Sequence, residues 1–144
     1  MPIRVKIANN PLELDGLFKT RHKVFVEEEG YIKSKSNGRI FDQYDAFPST
    51  ANLVAMVNRE VVGGLRLTEW SEGGAPSDTF FDFRPVIPKD SVKVATASML
   101  CLSKEFRELT RLCFMMLSMG TFWGISKEIN YVVAAINPLV EPMI

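Results

Sequence analysis

The amino-acid sequence predicts an α/β fold of the α+β type, in which a mixed, mostly antiparallel sheet is flanked by helices. Three patterns support this prediction. Apolar side chains alternate with charged ones in residues 3–7, which is the period of a strand with one buried face. Two β-prone runs, 53–57 and 61–67, are separated by three polar residues, as in an antiparallel hairpin. Between Leu109 and Trp123, apolar residues recur every three or four positions, which is typical of a helix.

A first helix is predicted directly after the first strand. Asn10 is a favoured N-cap residue, Pro11 suits the first helical position, and Glu13 follows at the third. The apolar residues that come next have roughly helical spacing. We expect this helix to run to about Glu29, where Gly30 can end it.

The remaining segments follow in chain order. We expect a long loop over residues 31–48 and a short helix or irregular loop over residues 78–88. The nearly continuous apolar run 91–103 predicts a strand buried on both faces, and hence the spine of the sheet. The second helix is expected to end near Gly124, and a last buried strand is predicted over residues 131–136.

Length and composition indicate one domain over residues 1–144, with 47% hydrophobic residues. Seventeen basic residues balance seventeen acidic ones, so no overall charge would attract nucleic acid. The longest uncharged run, 112–125, is shorter than the roughly 18 residues of a membrane span. The only cysteines, Cys101 and Cys113, are too few for a disulfide framework, which predicts reduced thiols in the cytoplasm, and a single histidine predicts no metal site.

Five short motifs carry a resemblance to a known family. They are Arg21-x-x-x-Phe25, Tyr31, Asp42-x-x-Asp45, Gly64-Leu65-Arg66-Leu67 and the pair Phe80/Phe81. Their order and spacing resemble those of acyl-homoserine-lactone (autoinducer) synthases and long-chain N-acyl amino acid synthases, over about residues 21–138. Tyr31 stands where the autoinducer synthases usually carry Trp, which favours the N-acyl amino acid branch or a divergent relative.

The resemblance implies a fold and an activity. The fold would be that of the Gcn5-related N-acyltransferases (GNAT), with further strands after Pro138. We therefore expect either that the natural chain continues past Ile144 or that a partner chain covers this edge, for example in a homodimer. The activity would be transfer of a medium or long acyl chain from acyl carrier protein or acyl-CoA to the amine of an amino acid or a related metabolite. Attack would be direct, without a permanently bound cofactor.

One departure from the family lies on the predicted central strand. The family carries Glu-x-Ser-Arg there, and this chain has Thr96, Ala97, Ser98 and Met99. The Glu is the family's favoured general base. Loss of one acid and one base together leaves the remaining charges balanced, which a buried cluster requires. A catalytically degenerate homologue that binds acyl carrier or lipid is therefore the alternative to an active enzyme.

The expected donor site follows that strand. In small-molecule acetyltransferases of this fold a Gly-rich turn binds pyrophosphate, whereas residues 103–109 here contain no glycine. This favours a donor held by its phosphopantetheine arm over an ordinary small-molecule N-acetyltransferase. Lys104, Arg107 and Arg111 would then contact an acidic carrier, unless they are simply solvated charges at the start of the helix.

Four charged residues form the expected catalytic cluster: Arg21, Asp42, Asp45 and Arg66. The two aspartates either neutralise the arginines or bind the ammonium group of the acceptor. Arg66 is either a buried structural partner or a fork for an α-carboxylate. With the family Glu missing, the amine proton would leave through water to Asp45 or Glu69.

Substrate contacts are expected from further residues along the chain, namely Phe25, Tyr31, Phe80, Phe81, Ser98, Leu100 and Leu102. An apolar stripe on the second helix either lines an acyl pocket or belongs to the core, and consists of Phe114, Met115, Met116, Met119, Phe122 and Trp123. Cys101 has no His or Asn partner in the sequence pattern, so we expect it to be structural.

Overall fold

The computed structural model describes residues 2–34, 37–88 and 92–134. Five strands form one sheet in the order β1-β2-β3-β4-β5. The first three pairings in this order are antiparallel, and the fourth, between β4 and β5, is parallel. The predicted mixed, mostly antiparallel sheet is confirmed. Its strands are β1 (Ile3–Ile7), β2 (Thr50–Val57), β3 (Glu60–Glu69), β4 (Val94–Leu102) and β5 (Tyr131–Val133).

Two helices flank the sheet, one on each face. α1 spans Pro11–His22, and Asn10 caps it by accepting a hydrogen bond from the backbone amide of Glu13. α2 spans Thr110–Ser126, two residues longer than predicted. Short 3-10 helices cover Gln43–Ala46, Pro76–Thr79, Arg84–Val86 and Lys104–Phe106.

The first helix changes its form instead of continuing to Glu29. After His22 the chain forms a π-helix, Lys23–Glu28, whose wider turns carry it to Gly30. Gly30 has a φ of 70°, a left-handed conformation that glycine adopts without steric cost. The backbone amide of Tyr31 then donates to the carbonyl of Phe25. The predicted stop at Gly30 is therefore correct, while the α-helix itself ends eight residues earlier.

The predicted spine of the sheet, β4, has a strand neighbour on each edge, β3 and β5. Among the described residues, β3 lies third of five strands and is buried over most of its length. β4 is buried at its start, but Ala97 to Leu100 are half-buried. The long loop predicted over residues 31–48 contains one turn of 3-10 helix. Residue 134 follows β5 outside the ladder; the rest of the predicted last strand and the expected continuation after Pro138 lie outside the described residues.

The two sheet faces have different chemistry. α2 packs its buried side chains, Leu112, Met116 and Trp123, on an apolar cluster of sheet residues. On the opposite face α1 lies so close to β3 that a Cβ atom at Gly64 would clash with Cδ1 of Leu17. This second face carries the charged cluster, because side chains alternate between the faces along each strand.

The apolar stripe of α2 was expected either to belong to the core or to line an acyl pocket, and its residues differ in burial. Met115, Met116, Met119 and Trp123 belong to the core, fully or partly buried. Phe114 and Phe122 are exposed on the outer side of the helix. Among the described residues, no helix is long and apolar enough to cross a membrane.

Candidate functional site

One turn of 3-10 helix places the two aspartates side by side. The Asp42 side chain caps this turn by accepting from the backbone amide of Tyr44 at 2.9 Å. Asp45, at the third position, accepts from the backbone amide of Asp42 at 3.0 Å. This reciprocal arrangement is a capping box, and it turns both carboxylates toward the sheet. Asp45 has 6% of its side chain exposed and Asp42 has 39%.

Arg21 reaches this pair from the last turn of α1. Its guanidinium is fully buried and contacts both oxygens of Asp45 through Nη1, at 3.0 and 3.1 Å. Nη2 donates to Oδ1 of Asn52 at 3.0 Å. The Nε atom is buried and has no hydrogen-bond partner among the described residues. Burial lowers the pKa of the Arg21 guanidinium below its usual value, and the charge of Asp45 opposes this shift.

Arg66 meets the same carboxylates from the centre of β3. Nη1 lies 2.6 Å from Oδ1 of Asp42 and 3.2 Å from Oδ2 of Asp45. Nε donates to Oγ of Ser98 on β4 at 3.0 Å. The four predicted charges thus form one cluster with no net formal charge, in which Asp45 bridges two buried arginines. Asp42 is the member of this cluster that solvent reaches.

Two further residues contact the cluster and were not predicted from the sequence. Asn52 lies opposite Arg66 in the β2/β3 register and binds Arg21. The ring of Tyr44 lies 5.8 Å from the guanidinium carbon of Arg66, within cation-π range. An asparagine inside an apolar strand is the signal that could have identified Asn52, because a buried amide needs a partner.

Thr96 stands where the family carries its Glu, and its hydroxyl ties a loop to β4. It accepts from Nε1 of Trp70 at 2.9 Å and shares a hydrogen bond of 2.9 Å with the hydroxyl of Ser77. Thr96 and Ser77 are both buried. This position therefore holds the 3-10 helix Pro76–Thr79 against the sheet and supplies no carboxylate.

β4 is irregular beside the cluster. Gly64 pairs with Cys101 and Arg66 pairs with Ser98, so β4 has one more residue than β3 between these pairs. Met99 lies in this bulge with a φ of 56°. On the other edge of β4, pairing with β5 ends at Thr96 and Val133 among the described residues. The backbone from Ala97 to Leu102 therefore presents an edge without a strand partner in the described part of the chain.

The connection from β4 to α2 is held by ion pairs. Arg107 pairs with Glu28 and Glu29, each at 2.7 Å, and its Nε donates to the carbonyl of Leu102 at 3.0 Å. Lys104 has an exposed side chain, and its backbone amide donates to Glu28 at 3.0 Å. Arg111 is exposed at the start of α2. Of the three predicted carrier contacts, Arg107 is thus already paired within the chain.

The other predicted site residues lie around these features. Phe25 is half-buried, and Tyr31 is exposed close to Glu29, whose charge adds to burial in raising the pKa of the tyrosine. Leu100 and Leu102 are half-buried and pack toward the α2 face. Phe80 and Phe81 are exposed beyond the 3-10 helix that Thr96 holds.

Glu69, proposed to accept the amine proton, lies away from the cluster, whereas Cys101 was expected to be structural. Glu69 projects on the α2 face, because Leu67, two residues before it, packs against Trp123 and Glu69 lines a cleft with the same ring. It pairs with Lys93 at 3.5 Å, across the sheet from the arginine cluster. Cys101 is buried, and burial raises the pKa of its thiol to about 11, as a structural cysteine requires.

Comparison with solved structures identifies similar molecules. FeeM, an N-acyl amino acid synthase from uncultured soil microbes, superposes with a TM-score of 0.77 at 16% identity, over 99% of this chain and 75% of that one. The CoA-dependent acyl-homoserine lactone synthase BjaI gives 0.76 at 26% identity, over 98% and 69%. The acyl-homoserine lactone synthase LasI gives 0.75 at 18% identity, over 99% and 76%. The predicted GNAT-like fold is confirmed.

Sequence comparison gives the family. A search of curated proteins gives no significant match. The model of the FeeM family, described as N-acyl amino acid synthase, matches residues 16–143. This range contains the arginine-aspartate cluster, the bulged strand and the loop tied by Thr96, and it agrees with the branch that Tyr31 favoured. The chain therefore belongs to the FeeM family of N-acyl amino acid synthases.

Proposed function

We propose that the chain is an N-acyltransferase that moves a medium or long acyl chain from acyl carrier protein or acyl-CoA to the amine of an amino acid or a related metabolite. The observation that carries this proposal is the open edge of β4 beside the arginine-aspartate cluster. Family membership supports acyl transfer in general. The structure of BjaI, a relative described as CoA-dependent, was determined with isopentyl-CoA, which supports a thioester donor here.

The open edge suits a pantetheine arm. The arm carries two amides, and an extended chain with amides can pair with free backbone groups of a strand edge. The edge begins after Thr96 and passes the bulge at Met99. An amide in a bulge is released from the regular ladder, so it is available to donate to a carbonyl oxygen that becomes an oxyanion.

Asp42 is the group best placed to receive the acceptor amine. It is more exposed than Asp45, and its carboxylate lies 2.6 Å from Arg66. The donors of Arg66 that face the cluster are engaged with Asp42, Asp45 and Ser98, which supports a structural role for Arg66 over binding of an α-carboxylate. Asp42 would hold the ammonium group and accept its proton directly or through water.

The reaction then balances without a cofactor. The neutral amine nitrogen attacks the thioester carbon, and a carbon–nitrogen bond forms as the oxygen becomes negative. The carbon–sulfur bond breaks when this intermediate collapses. The ammonium group loses two protons: the first leaves through Asp42 to solvent before the attack, and the second passes from the nitrogen to the leaving thiolate after it. Transfer is direct, in keeping with the buried, protonated Cys101.

The second candidate is a catalytically degenerate protein that binds acyl carrier or lipid. Its support is the Thr96 hydroxyl, which stands in place of the family Glu and is occupied by Trp70 and Ser77. A hydroxyl at this place cannot accept a proton from an ammonium group at neutral pH. Binding would then persist without turnover.

One experiment separates these candidates. The protein is incubated with long-chain acyl carrier protein, or acyl-CoA of the same chain length, and a pool of amino acids, and N-acylated products are measured by mass spectrometry. We expect product from the wild type and at least about a tenfold loss for Asp42→Asn. Glu60→Gln, in the exposed hairpin, is the matched control and should leave the rate unchanged. Donor binding without product would favour the degenerate protein, and absence of both would overturn the proposal.

Location, assembly and donor type complete the proposal. The free cysteines Cys101 and Cys113 agree with a reducing compartment such as the cytoplasm. A homodimer stays a prediction. Competition between acyl-CoA and acyl carrier protein in the same assay decides which donor is preferred.

A further inference from the structure

A carboxylate of the chain itself lies at the end of the β4 edge where the donor arm is proposed to bind. Glu28, the last residue of the π-helix, has 12% of its side chain exposed. Its Oε1 accepts from Nη2 of Arg107 at 2.7 Å and from the backbone amide of Lys104 at 3.0 Å. These two donors converge on one oxygen, as they would on an oxygen of a phosphate.

Arg107 has more negative charge around it than is needed to neutralise its single positive charge. Glu29 also pairs with Arg107 at 2.7 Å, so two carboxylates share one guanidinium. Lys23 approaches Glu28 at 3.7 Å, but its shorter contact, 3.0 Å, is with Glu105. One of the two glutamates can therefore leave Arg107 without stranding its positive charge.

The length of the arm places the donor phosphate at the same position. This step rests on the proposed function. About thirteen bonds separate sulfur from phosphorus in phosphopantetheine, and an extended backbone advances about 3.3 Å for every three bonds, so the arm spans about 14 Å. We place the thioester at Ser98, because Ser98 binds Arg66 of the cluster. A length of about 14 Å corresponds to about four strand residues, so the phosphate end of the arm lies near Leu102. Arg107 binds the carbonyl of Leu102, and Lys104 lies two residues after Leu102.

We propose that Glu28 is a specificity-determining residue for the acyl donor, because its carboxylate occupies the position of the phosphopantetheine phosphate and must be displaced from Arg107 and Lys104 when a donor binds. The competition lowers affinity for every phosphate-bearing donor. Donor binding would thus break the contact between the π-helix and the amide of Lys104, while the pairs Lys23–Glu105 and Glu29–Arg107 remain. Donors that bring further favourable contacts, as a carrier protein does, tolerate this competition better than free CoA.

Ligands that differ only in the phosphate test this inference. Binding of pantetheine, 4′-phosphopantetheine and CoA is measured by calorimetry with the wild type, Glu28→Gln and Arg107→Met. Gln keeps an oxygen for Arg107 but removes the charge. For Glu28→Gln we expect about tenfold tighter binding of phosphopantetheine and CoA, because the competing side chain loses one charge-assisted hydrogen bond. Binding of pantetheine, which has no phosphate, should stay unchanged. Arg107→Met should reduce phosphopantetheine to the affinity of pantetheine.

The matched control is Glu27→Gln, one residue earlier, whose side chain is 63% exposed. It removes the same charge from the same turn and should change none of the affinities. Parallel weakening of all three ligands in Glu28→Gln, or equal gains in both glutamate variants, would overturn the inference. If the wild type binds none of the three ligands, the proposed function fails. If it binds pantetheine and phosphopantetheine equally, only the inference fails.

A kinetic comparison distinguishes the two sources of phosphate. The ratio of KM for acyl-CoA to KM for acyl carrier protein is measured with the wild type and with Glu28→Gln. We expect this ratio to fall by at least about threefold, because CoA depends more strongly on its phosphates for affinity. A ratio that stays constant would contradict the selective effect on CoA.

Discussion

Asp45 should be far more important for stability than Asp42, although the two carboxylates lie in the same turn and bind the same arginine. Asp45 supplies both carboxylate contacts of the fully buried Arg21 and a third to Arg66. Asp45→Asn keeps the size of the side chain and one acceptor oxygen, but leaves the cluster with an uncompensated positive charge. Breaking a buried ion pair in this way costs about 3–5 kcal/mol. That is a large part of the roughly 5–15 kcal/mol that stabilises a typical domain.

Asp42→Asn provides the matched comparison. Asp42 is more exposed, and Arg66 retains Asp45 and Ser98 when the charge of Asp42 is removed. Solvent screens a partly exposed pair, so we expect a cost of about 1 kcal/mol. Urea unfolding measures both variants. With a slope of about 2 kcal/mol per molar urea, the midpoints should fall by about 2 M for Asp45→Asn and about 0.5 M for Asp42→Asn.

A double-mutant cycle tests the cause of the difference. If the cost of Asp45→Asn comes from the unpaired Arg21, then Arg21→Met should cost much less in the Asp45→Asn background than in the wild type. We expect a coupling free energy of at least about 1.5 kcal/mol. Equal midpoint shifts for the two aspartate variants, or additive free energies in the cycle, would refute the reasoning.

Three further predictions concern other parts of the chain. Arg59 has a φ of 69° in the two-residue hairpin turn, so Arg59→Gly should raise the free energy of unfolding by about 0.5–1 kcal/mol in thermal unfolding, whereas Arg59→Ala should not. The hydrogen bond from Arg39 holds the pKa of Asp15 at about 2, below its usual value of 3.8. Its contribution to stability is complete above 3.8 and is lost as the pH falls through 2, so an Asp15→Asn protein should lose less stability than the wild type over this range in urea unfolding. Thr96→Val should lower the free energy of unfolding by about 2 kcal/mol because the indole N–H of Trp70 and the hydroxyl of Ser77 both lose their partner, and Thr96→Ser should lower it much less. Equal losses for both variants would assign the effect to packing.

The fold was largely predictable because it depends on local patterns. Alternation located β1, the polar break between two apolar runs located the hairpin, and the capping residues located the start of α1. The burial of β4 was predicted correctly for its start and overestimated for Ala97 to Leu100, since an apolar run indicates burial but does not state which neighbours provide it. The π-helix after His22 also has no sequence pattern that distinguishes it from an α-helix.

The candidate site was predictable in its members but not in its contacts. Arg21, Asp42, Asp45 and Arg66 were named from the resemblance of their motifs to those of the synthase families, and the structure brings them together. Arg107 was expected to face a carrier, and it is instead paired with residues about 80 positions earlier in the chain; its contact with Glu28 spans 79 residues.

The sequence by itself determined the elements, the balance of charge and the membership in an acyltransferase family, because periodicity, capping and motif spacing are properties of neighbouring residues. Only the tertiary structure decided which carboxylate pairs with which arginine. It also showed that the Thr96 hydroxyl holds Trp70 and Ser77 against β4, and that Glu28 lies at the end of β4. Those relations depend on strand register, on the bulge at Met99 and on the path of the π-helix. A change of one residue in any of them would place a different side chain on the same face, so no local pattern can encode the partner.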